Sequence, residues 1–160
     1  MKDIFITLEM FQTVPDHNDS IIPYRVRFYD DNGKGNANSF LVDNSYKWAG
    51  GGYLSTPSDL VRMGQELISP KILSMETVSM MLAPQKLKDE TSIICGITWR
   101  IGNDASGRKI VHHGGTIQGG RTMLVIYPDQ DLVIAICSNK NVRNQIDLKE
   151  IETIASYFFE

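Results

Sequence analysis

The sequence predicts an α+β domain in which an antiparallel sheet packs against helices, and three observations lead there. From residue 94 the apolar pattern takes the period of strands, in runs joined by short turns. A marked helix start lies at Thr56-Pro57, and an amphipathic run closes the chain over residues 145–159. Short turns join antiparallel neighbours, so the strand runs predict a meander, and helices beside it make the α+β class. Residues 1–160 read as one partial domain, with helices and loops over 1–93 and the meander plus closing helix over 94–160.

Composition bounds the function. A chain of 160 residues, 42% hydrophobic and 22% charged, can fill a globular core. Its net charge of −3 comes without blocks of like charge, so no basic face is offered to nucleic acid. The apolar run Leu132–Cys137 falls far short of the roughly 18 residues a membrane span needs. No basic, apolar and small-residue leader pattern opens the sequence. As it stands the chain is expected in the cytoplasm, whereas a longer parent protein could be exported. Cys95 and Cys137 lie in apolar runs and are expected as two buried thiols, not a bridge.

Taken in order, residues 1–16 predict a short amphipathic helix on Ile4, Phe5, Leu8, Met10 and Phe11, ending near Pro15. Residues 17–47 are polar, and the turn cluster Asp30–Asn36 predicts a hairpin between Tyr24–Tyr29 and Ser39–Val42. Thr56 then stands as an N-cap, Pro57 at the first helical position and Asp59 three residues after the cap. Leu60, Met63, Gly64 and Leu67 make the inner stripe of that helix. A second helix over 75–82 turns Met75, Val78, Met81 and Leu82 inward. The predicted strands are Ile94–Ile101, Lys109–His113, Thr122–Tyr127 and Leu132–Cys137, the last two apolar enough for burial on both faces. The closing helix carries Ile146, Ile151, Ile154, Ala155 and Phe158 on one side.

Few residues offer chemistry. His112 and His113 end a strand and open into Gly114-Gly115-Thr116 and then Gly119-Gly120. Neighbours on a strand point to opposite faces, so at most one of the two histidines lines a given cleft. Glycines there let backbone N–H groups approach an anion or oxyanion. No metal site is expected, because the histidines diverge and paired ligand spacing is missing, and no cofactor is expected. Gly50-Gly51-Gly52 is not followed by the Lys-Ser or Lys-Thr of a phosphate-binding loop. The helix start at Thr56 is a weaker candidate for an anion. Ser106-Gly107-Arg108-Lys109 is the single Ser-x-x-Lys match, and it lies in a predicted turn where the two side chains would be solvated.

Several ordered stretches together resemble one family. Lys47-Trp48-Ala49-Gly50-Gly51-Gly52-Tyr53-Leu54-Ser55-Thr56-Pro57-Ser58-Asp59-Leu60 is similar to the segment entering a helix in serine β-lactamase-related proteins. These are the class C β-lactamase, D-alanyl-D-alanine peptidase and esterase superfamily, with its mitochondrial-type β-lactamase-like members. Gly96-Ile97-Thr98-Trp99 and His112-His113-Gly114-Gly115 resemble its Gly-x-x-Trp strand and His-x-Gly-Gly motif. Asp3–Met10 resembles its Pro-Leu-Gly-Met stretch, departing at Thr7 and Glu9. The resemblance implies the C-terminal part of the β-lactamase/transpeptidase-like fold.

By that resemblance His112 takes the Lys or His position that supports substrate binding and proton transfer. Gly114 lets substrate lie against the strand, and the N–H of Gly115 is half of an oxyanion hole. His113 and Thr116 join Gly114 as substrate-binding positions, His113 standing where Thr, Ser or Gly is usual. Gln118 stands where Gly is expected. The family's nucleophilic Ser-x-x-Lys and its Tyr-x-Asn lie upstream of the Leu-Gly-Met stretch and have no counterpart here. The resemblance therefore implies the C-terminal half of a serine hydrolase acting on β-lactam, D-alanyl peptide or ester bonds, inactive alone. The alternatives are a non-catalytic binding domain on the same fold and a hydrolase using another serine, with Ser55 the first candidate. The partners implied are an N-terminal half, or self-association through an apolar strand edge at Leu132–Cys137.

Overall fold

A computed structural model describes residues 2–141 and 146–159. Along the chain run α1 (Lys2–Thr7), β1 (Val14–Pro15), β2 (Tyr29–Asp31), β3 (Asn36–Asn38), β4 (Tyr53–Leu54), α2 (Pro57–Gln65) and α3 (Met75–Met81). There follow β5 (Arg100–Asn103), β6 (Lys109–Ile117), β7 (Gly120–Tyr127), β8 (Leu132–Ser138), β9 (Lys140–Asn141) and α4 (Leu148–Ser156). Strands β5-β6-β7-β8 form the antiparallel meander, and the class is α+β as predicted. Among the described residues no helix is long and apolar enough to cross a membrane.

Strand alternation divides the core into two layers. Val111, Leu124 and Ile126 face α2 and α3, where they meet Leu67 and Val78. Ile110, Val125 and Tyr127 face the other way and meet Ile151 and Ala155 of α4. Burial of Leu124 through Tyr127 on both faces explains the unbroken apolar run of β7. Helix α2 presses closest on the sheet at Gly64, where an added Cβ would lie 2.6 Å from Cγ1 of Val133.

The start of α2 follows its local sequence: the N–H of Asp59 donates to Thr56 Oγ1 at 3.2 Å. The Asp59 carboxylate, 2% exposed, reaches back to the N-terminal segment. It accepts from Gln12 N–H at 2.9 Å and Thr13 Oγ1 at 2.8 Å. That distant acceptor explains why the first helix stops at Thr7 and does not run to residue 16. Glu9 adopts φ of +57°, and Val14–Pro15 pair with Tyr53–Leu54.

Other elements depart from the sequence reading. The hairpin forms at Tyr29–Asp31 and Asn36–Asn38, close to its turn, while Tyr24 and Phe40 stay exposed. Strand β2 also pairs in parallel with β9. Of the strand expected over Ile94–Ile101 only the end forms, because Ile97 N–H donates to the Met81 carbonyl at 2.8 Å and caps α3 instead. Met75 is 59% exposed, since Val78 supplies the buried contact of α3. On α4, Ile154 and Phe158 point outward and Phe159 packs in their place; residue 145 lies outside the described residues. Cys95 is half-buried and Cys137 exposed, both free, because β8 is an edge strand.

Candidate active site

The glycines after His113 do not form a loose loop. They continue β6 to Ile117, which pairs with Gly120 across the two-residue turn Gln118-Gly119. Gly119 has φ of +68°, and a Cβ there would collide with Ser39 and Phe28. Gln118 donates to Asp30 Oδ2 at 2.6 Å, and Ser39 donates to the same oxygen at 2.7 Å. The tip of the β6–β7 hairpin is thus tied to the β2–β3 hairpin. Sequence reading missed this tie, because it spans 88 residues and leaves no local signal.

The register fixes which peptides of β6 face outward. A two-residue turn makes Ile117 and Gly120 a hydrogen-bonded pair, so the peptides of Val111, His113, Gly115 and Ile117 bond to β7. On the other side Asp104 N–H donates to the Arg108 carbonyl at 2.8 Å. Counting from there, Ile110 and His112 bond to β5. Strand β5 ends at Arg100, opposite His112. Beyond it the peptides of Gly114 and Thr116 face an edge where no strand pairs.

The side chains alternate as well. His112 lies on the α4 side and is 9% exposed, with its Nδ1 meeting no hydrogen-bond partner. Burial, then the charges of Arg100 and His113, push its pKa below the ordinary value. His113 is exposed on the opposite side, the side of α2 and α3. Gly115 is bonded to β7, and a Cβ on it would come 2.5 Å from Thr122 Oγ1. His113, Gly114 and Thr116 therefore meet at the open edge, while the His112 ring and the Gly115 N–H are turned away from it.

The remaining candidates are accounted for structurally. Ser55 bonds to Thr13 Oγ1 at 2.8 Å beneath the start of α2. The buried Asp59 carboxylate already occupies that helix start, which disfavours an added anion. Ser106 and Lys109 are both exposed at the β5–β6 turn. Among the described residues no group of three or more His, Cys, Asp or Glu could hold a metal ion.

A meander with helices on both faces and a glycine-bearing strand at an open edge defines a class, the β-lactamase and penicillin-binding-protein-like fold. A family model described as Beta-lactamase matches residues 1–158, and the chain belongs to that family. It is 33% identical over 156 residues to the human mitochondrial serine beta-lactamase-like protein LACTB, an alignment covering 81% of this chain and 28% of that protein. The mouse protein matches at the same identity and coverage. The chain thus spans little more than a quarter of these relatives' length. Among solved structures, the penicillin binding protein from Bacillus halodurans superposes with a TM-score of 0.74 at 16% identity. That superposition covers 99% of this chain and 48% of that one. The octameric penicillin-binding protein homologue from Pyrococcus abyssi gives 0.68 at 20% identity, over 88% and 32% of the two chains.

Proposed function

We propose that the chain is the substrate-strand half of a serine acyl hydrolase, inactive without a nucleophile supplied from outside these 160 residues. The observation that carries this reading is the open edge of β6, where the peptides of Gly114 and Thr116 face outward beside His113. A β-lactam, D-alanyl peptide or ester carbonyl laid along that edge accepts from the Thr116 N–H. Its oxygen gains charge as a serine Oγ adds to the carbon, and the fixed donor stabilises that charge. Gly114 lets the substrate lie close to the strand. His113 polarises the substrate and carries the proton to the leaving group. The reading therefore moves the roles expected of His112 and Gly115 one residue along the strand.

An acyl-enzyme needs a nucleophile with a base in reach, and an oxyanion donor with a histidine gives only residual catalysis. The chain also associates with an upstream half or with itself, and the octameric homologue among its structural neighbours supports the second of these. Intact mass after treatment with a fluorophosphonate, and separately a penicillin, tests the catalytic reading. No adduct is expected on the chain alone. An adduct is expected once it is joined to an upstream segment carrying Ser-x-x-Lys and Tyr-x-Asn. In that joined protein Thr116→Pro, which removes one oxyanion donor, should slow acylation by about 10²–10³-fold. A stoichiometric adduct on a serine of the isolated chain would overturn the reading.

A further inference from the structure

The donor proposed at Thr116 sits near the weakest end of its strand. The Thr116 peptide makes no bond to β7, and the ladder bonds that flank it are those of Gly115 and Ile117. Ile117 pairs with Gly120, the last pair before the turn, so fraying of the tip releases one flank of Thr116. Four of the seven residues 114–120 are glycine, which raises the entropy cost of holding them in place. The turn itself does not hold the tip. Two-residue hairpins favour turns with positive φ at the first central residue, alone or together with the second. Here only Gly119 has a positive φ, of +68°, and Gln118 does not. A turn of that kind splays its strands unless contacts outside it hold them.

The outside support is Asp30. Its Oδ2 accepts from Gln118 Nε2 at 2.6 Å and from Ser39 Oγ at 2.7 Å. Asp30 is the middle residue of β2, the central strand of its sheet, opposite Ala37 of β3 and Asn141 of β9. Strand β9 follows β8 after a single residue, Asn139. The Asn139 carbonyl accepts from Tyr29 N–H at 2.9 Å, and its side-chain amide donates to the Arg27 carbonyl at 2.9 Å. The anchor is thus rooted in the far strand of the same meander, and the path β6–β7–β8–β9–β2 closes back on the tip. Gly119 lies against Phe28 and Ser39, and Arg121 Nη1 donates to the carbonyls of Ile117 at 3.1 Å and Gly120 at 2.9 Å. Of these contacts, the Gln118 bond is the one that a glycine, the residue expected there from the family resemblance, could not make.

We infer that Gln118 is a positioning residue of the proposed site: through Asp30 it holds the β6–β7 tip so that the Thr116 N–H stays aimed at the open edge. A fixed donor stabilises a developing oxyanion because it needs no reorganisation as the charge appears. A donor that swings with a frayed tip loses that advantage. The carboxylate makes the tie charge-assisted, and so stronger than a bond between neutral groups. The inference rests on the acyl-transfer reading above, but the tie itself is measurable on the chain alone.

Backbone amide relaxation by NMR on the chain is the first measurement. Thr116 is expected to show an order parameter of about 0.85, and Gln118→Ala should lower it to below about 0.6 while the β7–β8 ladder keeps its values. Gln118→Glu sets two carboxylates together and should loosen the tip in the same way. Adding Asp30→Asn to it lets an amide at position 30 donate to the new carboxylate, and should restore the order parameter. In the protein joined to an upstream segment carrying Ser-x-x-Lys and Tyr-x-Asn, Gln118→Ala should lower the maximal acylation rate about tenfold. The half-saturating concentration should not change, because the donor acts on the transition state, and the reversed pair should recover the rate. Order parameters that do not respond, or that the reversed pair fails to restore, would overturn the tie. A tip that loosens with no loss of acylation rate would overturn the positioning role. No acylation by the unsubstituted joined protein would overturn the acyl-transfer reading and the positioning role with it, while the order parameters would still report the tie.

Discussion

His112 and His113 are adjacent in sequence, yet they occupy opposite sides of the sheet: His112 is 9% exposed on the α4 side and His113 is exposed on the α2 and α3 side. A strand can do nothing else with neighbouring residues, and the flanking ladders decide which one is buried. The two histidines should therefore respond differently to chemistry. Diethylpyrocarbonate is expected to modify His113 quickly and His112 only on unfolding. Substitution should separate them too. His113→Ala should leave the unfolding free energy within about 0.5 kcal/mol, as surface changes usually do. His112→Ala should cost about 2 kcal/mol, since it opens space in a packed layer. Equal reactivity, measured by peptide mapping, would contradict the assignment.

The His112 environment also sets a pH dependence. Its folded pKa lies below the ordinary 6.5, through burial first and then the charges of Arg100 and His113. The unfolded chain thus binds the proton more readily than the folded one. Stability is then full above pH 6.5 and falls as pH drops from there toward the folded pKa. Urea unfolding of the unsubstituted chain should show this loss as pH falls below 6.5. His112→Phe should flatten that part of the profile, with His17 and His113 common to both proteins. An unchanged slope would remove His112 as its cause.

Much of this architecture was legible because its causes are local. Thr56, Pro57 and Asp59 announce α2, and the Asp104–Gly107 and Pro128–Asp131 turns separate strands that do form a meander. What was not legible depends on distant partners. The first helix ends early because Asp59, 47 residues away from Gln12, binds the N-terminal segment. Gly114 and Gly115 looked like the start of a loop, but pairing to Met123 and Thr122 makes them strand. The choice between His112 and His113 depends on strand parity, which no motif spacing encodes. Cys137 sits in an apolar run and is exposed because that run lies at an edge.

The Asp59 tie gives a separate expectation. Replacing Asp59 with Ala strands the N–H of Gln12 and the hydroxyl of Thr13, and frees the Arg62 guanidinium. Loss of a buried acceptor costs about 1–3 kcal/mol, so the unfolding free energy should fall by that much and the urea midpoint should fall with it. The α1–β1 segment should also become more open to proteolysis. An unchanged midpoint and cleavage pattern would show that Asp59 does not hold it.

Gly64 tests the contact between α2 and the sheet edge. A methyl group added there falls 2.6 Å from Val133 Cγ1 and 3.2 Å from Ile126 Cγ1. Gly64→Ala improves helix propensity by about 1 kcal/mol. Overpacking costs about 1–3 kcal/mol and should outweigh it, lowering the thermal midpoint. A raised midpoint would mean that the helix shifts freely on the sheet.

The parity of β6 sets the peptides of Gly114 and Thr116 at the open edge and those of His113 and Gly115 in the ladder. Amide hydrogen exchange resolved residue by residue reads this parity. Gly114 and Thr116 should exchange within about tenfold of an unstructured peptide, while Val111, His113 and Gly115 should be protected to the level of the core strands. The opposite pattern, with Gly115 fast and Thr116 protected, would contradict it and return the oxyanion donor to Gly115 and the motif position to His112.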